Sequence, residues 1–365
     1  MRKISGSRAG LAAATLGMLL CAMVPAPWAR AQDTAQPVGK PSKAPGLFAS
    51  ETPLSMTISA PWRVFMRKKE RLSGYPATLA YTDDSGAARS MALTVEARGI
   101  TRLKVCKFPP VKLVFDKEAI KGTPFRGNKS LKLVTHCGNG ERWEQYPVRE
   151  MLAYRIYNLV TERSFRVRPL TVTYVDSDDR STDGPHFGFL IEDDSALARR
   201  NDLEKLDIPK PRLAQLDPLE NNRFALFQFL IGNTDWAVLS GPSDDRCCHN
   251  SELIGPKSGA TVYAVPYDFD SSGLVDAHYA APNPSLPIRS NTERLFRGFC
   301  AYQATLGAAR REFLQHRAQI MDLVREEKRL SARSSNAVQS YLGKGLDILA
   351  DDEEFAAKVM AKCRK

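Results

Sequence analysis

Apolar and polar residues alternate over residues 91–98, with Leu93, Val95 and Ala97 on one face, the period of a half-buried strand. Residues 111–115 and 131–135 give two more short strands, punctuated by Gly127-Asn128 and Gly138-Asn139-Gly140. The period then becomes helical. Pro147 suits a first helical position, and Val148, Met151, Leu152, Ile156, Leu159 and Val160 share one face. Strand character returns over 170–175 and 187–192, joined by an Asp/Ser/Gly-rich hairpin loop, 176–185. A second helix opens at Asp217-Pro218-x-Glu220, with a capping Asp, a first-turn Pro and a Glu three residues on, and runs through Phe224, Phe227, Leu230 and Ile231. Residues 261–265 read as a short buried strand. From about residue 291 the pattern is helical, with Gly343 and Gly345 as breaks. No internal repeat is visible. This order predicts an α+β protein with a strand-rich front lobe and a mainly helical back lobe.

The first 31 residues follow another logic. Arg2, Lys3 and Arg8 precede an apolar run, 11–24, and Ala29-Arg30-Ala31 is a small-x-small site, the plan of a secretory signal peptide cut before Gln32. The run is shorter than the ~20 apolar residues that span a bilayer, and no later segment predicts a span in the mature chain. Residues 32–46, rich in Pro, Gly and Gln, read as a disordered leader. This predicts an exported protein, periplasmic or secreted.

Charge and cysteine content fit that reading. The 365 residues carry a formal net charge of +11. Loss of residues 1–31 removes four basic residues and no acid, leaving +7 spread without a run of five like charges. With no recognition motif either, no nucleic-acid partner is predicted. Hydrophobic residues at 43% and charged residues at 25% exclude global disorder. Of seven cysteines, Cys21 lies in the signal segment and six remain, an even number suited to disulfides. A zinc site is disfavoured because no Cys-x-x-Cys occurs and Cys247-Cys248 is vicinal. Cys106 and Cys137 flank neighbouring strands and are predicted to pair.

Two segments carry candidate chemistry. Gly232-Asn233-Thr234-Asp235-Trp236 ends an apolar helix, and Pro266-Tyr267-Asp268-Phe269-Asp270-Ser271-Ser272-Gly273 follows a strand. Carboxylates at i and i+2 after a strand can both reach one hard cation, an isolated Asp235 can take a hydroxyl proton, and His249-Asn250 between the segments offers an amide ligand. This is the part set of phosphoryl transfer. Each motif alone also reads as a capped turn. His136, His186 and His278 are isolated and read as structural or surface residues. Arg294, Arg297 and Cys300 lie on a predicted helix face. Neither a Gly-x-Ser-x-Gly elbow nor a His-Glu-x-x-His helix is present, which disfavours a serine hydrolase or zinc protease.

The order of motifs is more informative than any one of them. Arg98-Gly99 precedes the Lys-bearing strand Val111-Lys112-Leu113-Val114-Phe115. Lys129-Ser130-Leu131-Lys132-Leu133 precedes the helix with Val148-Arg149-Glu150-Met151-Leu152-Ala153-Tyr154. Paired strands with Phe187-Gly188-Phe189, then Asn-Thr-Asp and Tyr-Asp-Phe-Asp, complete the series. Over residues 98–273 the chain resembles the CotH-like family of secreted atypical protein kinases. The resemblance implies a two-lobed atypical protein-kinase-like fold, ATP, and Mg or Mn. Carried over by position, Asp235 is the catalytic acid/base, and Asp268 holds the metal with Asn250 and Asp270. Lys112 or Lys132 neutralises nucleotide phosphates, with Glu150 as its carboxylate partner. Glu192 is a candidate hinge residue facing the nucleotide base. Residues 47–290 would be the kinase domain and 291–365 a helical extension packed on the back lobe. The implied reaction is transfer of phosphate from ATP to a Ser/Thr hydroxyl of a secreted or envelope protein, by a monomer. The alternative is an inactive, disulfide-stabilised envelope protein that binds with the same fold. In one departure from the family pattern, His249-Asn250 arrive more than ten residues after Asp235, behind a polar insertion, 240–248. Asn250 is a ligand only if that insertion loops back.

Overall fold

The order of elements begins with β1 (Leu54–Ala60), α1 (Trp62–Lys68), β2 (Gly74–Thr82), β3 (Ala88–Ala97), α2 (Thr101–Val105), β4 (Val111–Phe115) and β5 (Ser130–Val134). It continues with α3 (Glu141–Val160), β6 (Val167–Asp176), β7 (Thr182–Ile191), α4 (Asp194–Arg200), β8 (Glu204–Lys205), α5 (Pro218–Ile231), β9 (Ser251–Gly255) and β10 (Tyr263–Pro266). Helices α6 (Gln303–Gln315), α7 (Arg317–Glu326), α8 (Ala332–Ala350) and α9 (Asp352–Lys358) end the chain. This computed structural model describes residues 46–69, 74–83, 86–241 and 247–365. The expected signal peptide, 1–31, and all of the expected leader except Gly46 lie outside the described residues.

The strands correct the expected fold. They do not form the strand-rich lobe of a two-lobed kinase-like protein: β1-β2-β3-β4-β5-β7-β6 close into a seven-stranded barrel, beside a separate sheet ordered β10-β9-β8. The reason lies in β1. It pairs antiparallel with β2 on one side and parallel with β6 on the other, from Leu54 opposite Leu170 to Ala60 opposite Asp176. One strand thus satisfies both edges that an open sheet would leave bare. The Arg63 amide donates to Asp176 Oδ2 at 2.8 Å and seals the closure between residues 113 positions apart. Alternation fills the interior with Ile58, Leu79, Val95, Val111, Leu113 and Leu133, all buried.

Helices α3, α5 and α8 share a second core, in which Val134, Phe189 and Ile191 join the barrel to Tyr154, Phe227 and Leu346. The predicted cap of α5 is present: Asp217 accepts from the Glu220 amide and Pro218 takes the first position. Two helix expectations need correction. Helix α3 starts at Glu141 behind Gly140 (φ 102°), so Pro147 sits inside it. Helix α8 runs through Gly343 and Gly345, which do not break it. At Gly345 the absent side chain permits close packing, because a Cβ would come 2.8 Å from Leu230 Cδ1 and 3.0 Å from Arg294 Nε. Arg294 and Arg297 lie ahead of α6 in non-helical chain.

The described cysteines form three disulfides: Cys106–Cys137 as predicted, Cys300–Cys363, and the vicinal pair Cys247–Cys248. Such bonds fit an oxidising compartment. Among the described residues, no helix is long and apolar enough to cross a membrane.

Candidate functional site

Two backbone devices assemble the site. At the end of α5, Gly232 turns the chain in the left-handed region (φ 63°), and its carbonyl accepts from the Gly273 amide at 3.0 Å while Ile231 O accepts from Leu274 N. The segment 232–235 is thereby laced to the segment after Asp270. The second device is the β9–β10 hairpin. Its register sets Ser251 opposite Pro266, and the next rung joins Asn250 O to the Tyr267 amide at 3.1 Å. Asn250 and Asp268 are therefore neighbours by ladder geometry.

Beyond the insertion, of which 242–246 lie outside the described residues, the chain returns to Asp235. Ala237 and His249 exchange both backbone hydrogen bonds, at 3.0 and 3.1 Å, which brings His249-Asn250 alongside Asp235. The Asp235 carboxylate is gripped at both oxygens: Oδ1 lies 2.7 Å from His249 Nε2, and Oδ2 accepts from Asn250 Nδ2 at 3.0 Å. The hydrogen bond to Asp235 raises the His249 pKa above its ordinary 6.5. Asp235 remains 45% exposed and so reachable by a substrate hydroxyl. Arg297 donates to the carbonyls of Thr234 and Trp236 on either side of it, at 2.6 and 2.8 Å.

Asp268 sits at φ 61° and Asn250 at φ 50°, left-handed conformations that non-glycine residues rarely adopt. Such strain concentrates where surrounding structure holds a functional geometry. The Asp268 amide donates to the Tyr154 hydroxyl at 2.9 Å, which ties it to α3. Asp270 is buried and receives Tyr279 Oη at 3.3 Å, and its guanidinium partner is Arg102, 3.9 Å away. Burial, reinforced by the Asp268 charge, pushes the Asp270 pKa up to about 6.

The carboxylate partnership expected for Glu150 is corrected. Its partner is Arg102 in α2, at 3.6 Å, and neither Lys112 nor Lys132. Arg102 is itself buried and anchored by Nη2 to Thr135 O at 2.8 Å, with α2 followed at once by the Cys106–Cys137 bridge. Glu150 Oε1 is buried without a hydrogen-bond partner. Burial drives its pKa up to about 8 despite the opposing charge of Arg102. The sequence holds little sign of Arg102: it lies between two glycine- and cysteine-punctuated strands, and only its position four residues before Cys106 fixes it.

The other sequence candidates separate clearly. Lys112 and Lys132 are cross-strand neighbours on the outer face of the barrel. Lys112 is taken by Glu96 at 3.1 Å. Lys132 reaches the site, with Nζ 4.2 Å from the centroid of Tyr267, the residue before Asp268, and 3.9 Å from Asp194. Glu192 is buried and held by Arg200 at 3.0 and 2.9 Å and by the Arg166 amide at 3.1 Å. It serves an ion pair, which leaves its carboxylate no free edge for a nucleotide base.

Asp235, Asn250, Asp268 and Asp270 thus converge, with Arg102, Tyr154, His249 and Tyr279 added by the structure. The ligand atoms that Asp268, Asp270 and Asn250 offer are hard oxygens, the set that suits Mg²⁺ or Mn²⁺. No protein-family model matches the chain, and no curated protein matches it.

Proposed function

We propose that the chain transfers phosphate from ATP to a serine or threonine hydroxyl of a secreted or envelope protein. The reading rests on the site and not on the fold, since one fold hosts many chemistries. The observation that carries it is the double grip on Asp235 beside the paired Asp268 and Asp270. An acid held at both oxygens, half-exposed, is oriented to accept a hydroxyl proton. His249 and Asn250 supply that orientation, and with Asn250 Nδ2 committed to Asp235, its amide oxygen remains as a ligand atom. Asp268, Asp270 and Asn250 would hold Mg²⁺ or Mn²⁺, which supplies charge neutralisation for the transferring phosphoryl group. Lys132, over Tyr267 beside Asp268, would meet phosphate oxygens; Lys112 is the weaker candidate because Glu96 holds it at 3.1 Å, closer than the 3.9 Å between Lys132 and Asp194.

A second reading, an inactive envelope protein that binds through the same surface, draws on Arg102. Its guanidinium already compensates Glu150 and Asp270 without any added cation. The experiment that separates the two is incubation of the chain with labelled ATP and Mg²⁺ or Mn²⁺ and an acceptor protein, beside Asp235→Ala and Asp268→Ala. Label transfer by the wild type that both variants lose supports the kinase reading. Equal transfer by all three, or none by any, ends it.

A further inference from the structure

Two of the three histidines read as isolated in sequence meet in space. His136 follows β5, His186 lies in β7, and Glu144 stands in the first turn of α3, yet one donor atom from each lies within 4.8 Å of the other two. We propose that His136, His186 and Glu144, with Asp183 beside them, bind a divalent cation of the zinc type that clamps α3 to the barrel. This site differs from the Asp235–Asp268 site in residues and in donor chemistry.

Three observations support it. The first is the donor set. Imidazole nitrogens with carboxylate oxygens suit zinc and its transition-metal neighbours, whereas Mg²⁺ prefers oxygen alone. The second is the packing. The two imidazoles stack with centroids 3.7 Å apart, and His136 is 1% exposed against Phe108 at 4.9 Å. A buried imidazole stacked on a half-buried one needs polar compensation, and two carboxylates converge on the pair. His186 Nδ1 lies 2.5 Å from Glu144 Oε1 and its Nε2 2.8 Å from Asp183 Oδ1, while His136 Nε2 is 3.7 Å from Asp183 Oδ2.

The third is the outer layer. Ligating histidines and carboxylates are normally oriented by hydrogen bonds from behind. His136 Nδ1 is 3.1 Å from Thr135 Oγ1, which itself accepts from Tyr174 Oη at 2.7 Å. That contact leaves His136 Nε2 as the donor facing Asp183. Glu144 Oε2 accepts from the Phe187 amide at 3.2 Å. Tetrahedral zinc needs its ligand atoms about 3.4 Å apart, so donors up to 4.8 Å apart must draw in by up to about 1.4 Å. The movable members are the carboxylates, since the side chains of Glu144 and Asp183 are 27% and 54% exposed. Bound there, the cation would fix the residue after Thr135, whose carbonyl anchors Arg102.

The test loads the purified full chain with zinc, dialyses it against zinc-free buffer, and measures retained metal and affinity by competition with a chromophoric chelator. The wild type should retain about one zinc per chain, and its thermal midpoint should fall when zinc is stripped. Glu144→Gln, His186→Gln and Asp183→Asn should each weaken zinc binding, by about 100-fold or more for the first two. Glu144 and Asp183 stand partly in solvent, so their variants keep the test open if His186→Gln misfolds. Asp268→Asn should retain zinc as the wild type does. A wild type that retains none overturns the proposal. So do Glu144→Gln and Asp183→Asn variants that bind as the wild type does, or zinc lost by Asp268→Asn.

Discussion

Glu150→Gln should change how stability depends on pH more than it changes stability at any one pH. Glu150 is 2% exposed, one of its oxygens lacks a partner, and Arg102 stands 3.6 Å from the other. Desolvation outweighs that attraction and pushes the pKa from 4.5 to about 8. Between those two values the folded chain keeps a proton that the unfolded chain has released. Wild-type stability therefore falls as pH rises, by about 1.4 kcal/mol per unit, and the slope ends above about pH 8, where both states are ionised. Glutamine has no proton to lose. From pH 6 to pH 8 the variant should gain on the wild type by about 2–3 kcal/mol. The measurement is urea unfolding at pH 6, 7 and 8, with chelator present so that no cation compensates the carboxylates, and stability read from midpoint and slope. Wild-type and variant curves that shift in parallel with pH would refute a protonated, buried Glu150.

Three further outcomes follow from described contacts. Removing the Cys300–Cys363 bridge with a double alanine variant should cost about 4 kcal/mol by the loop-entropy relation for a separation of 63 residues; an unchanged thermal midpoint would contradict it. Gly232→Ala places a Cβ against the Tyr341 hydroxyl at a left-handed position, so a loss of about 2 kcal/mol or more in unfolding free energy is expected, with loss of any activity that depends on Asp235. In Asp235→Asn the NMR titration midpoint of His249 should drop back toward 6.5, because the bond that raises it loses its charge. The stabilising contribution of that His–Asp pair is present below 6.5 and is lost as pH rises through the folded value; a midpoint unmoved by the substitution would show that another group sets it.

Local chemistry was legible where a signal and its effect lie within one turn of each other. The Asp217-Pro218-Glu220 start of α5 and the strand at 111–115 are examples. Asp235 and Asp268 could be singled out because each follows an element that the apolar pattern marks, whereas Asn250 stood open until the β9–β10 ladder set it beside Tyr267. Long-range choices were not legible. The strand predicted at 170–175 lies within β6, but β1 at 54–60 was not predicted, and nothing in a period of two says that these two strands pair in parallel and close the sheet. Pro147 misled because a proline marks a helix start only on average; here Glu141 to Tyr146 extend α3 toward His186. Arg102 and the histidine pair escaped notice for the same reason: their partners lie on other elements, and spacing along the chain carries no trace of them.

The parallel seam between β1 and β6 also sets a clock. The pairs from β2 to β5 and the β6–β7 hairpin join strands made in succession, and β5 meets β7 across about sixty residues, but β1 waits for a partner more than a hundred residues behind it. At 5–20 residues per second, the 113 positions between Arg63 and Asp176 take about 6–23 s to synthesise. For that interval β1 is an apolar strand with one edge unpaired, the state most prone to aggregate. High contact order slows the final closure further. A chain of this design depends on whatever shields that edge until its last barrel strands arrive.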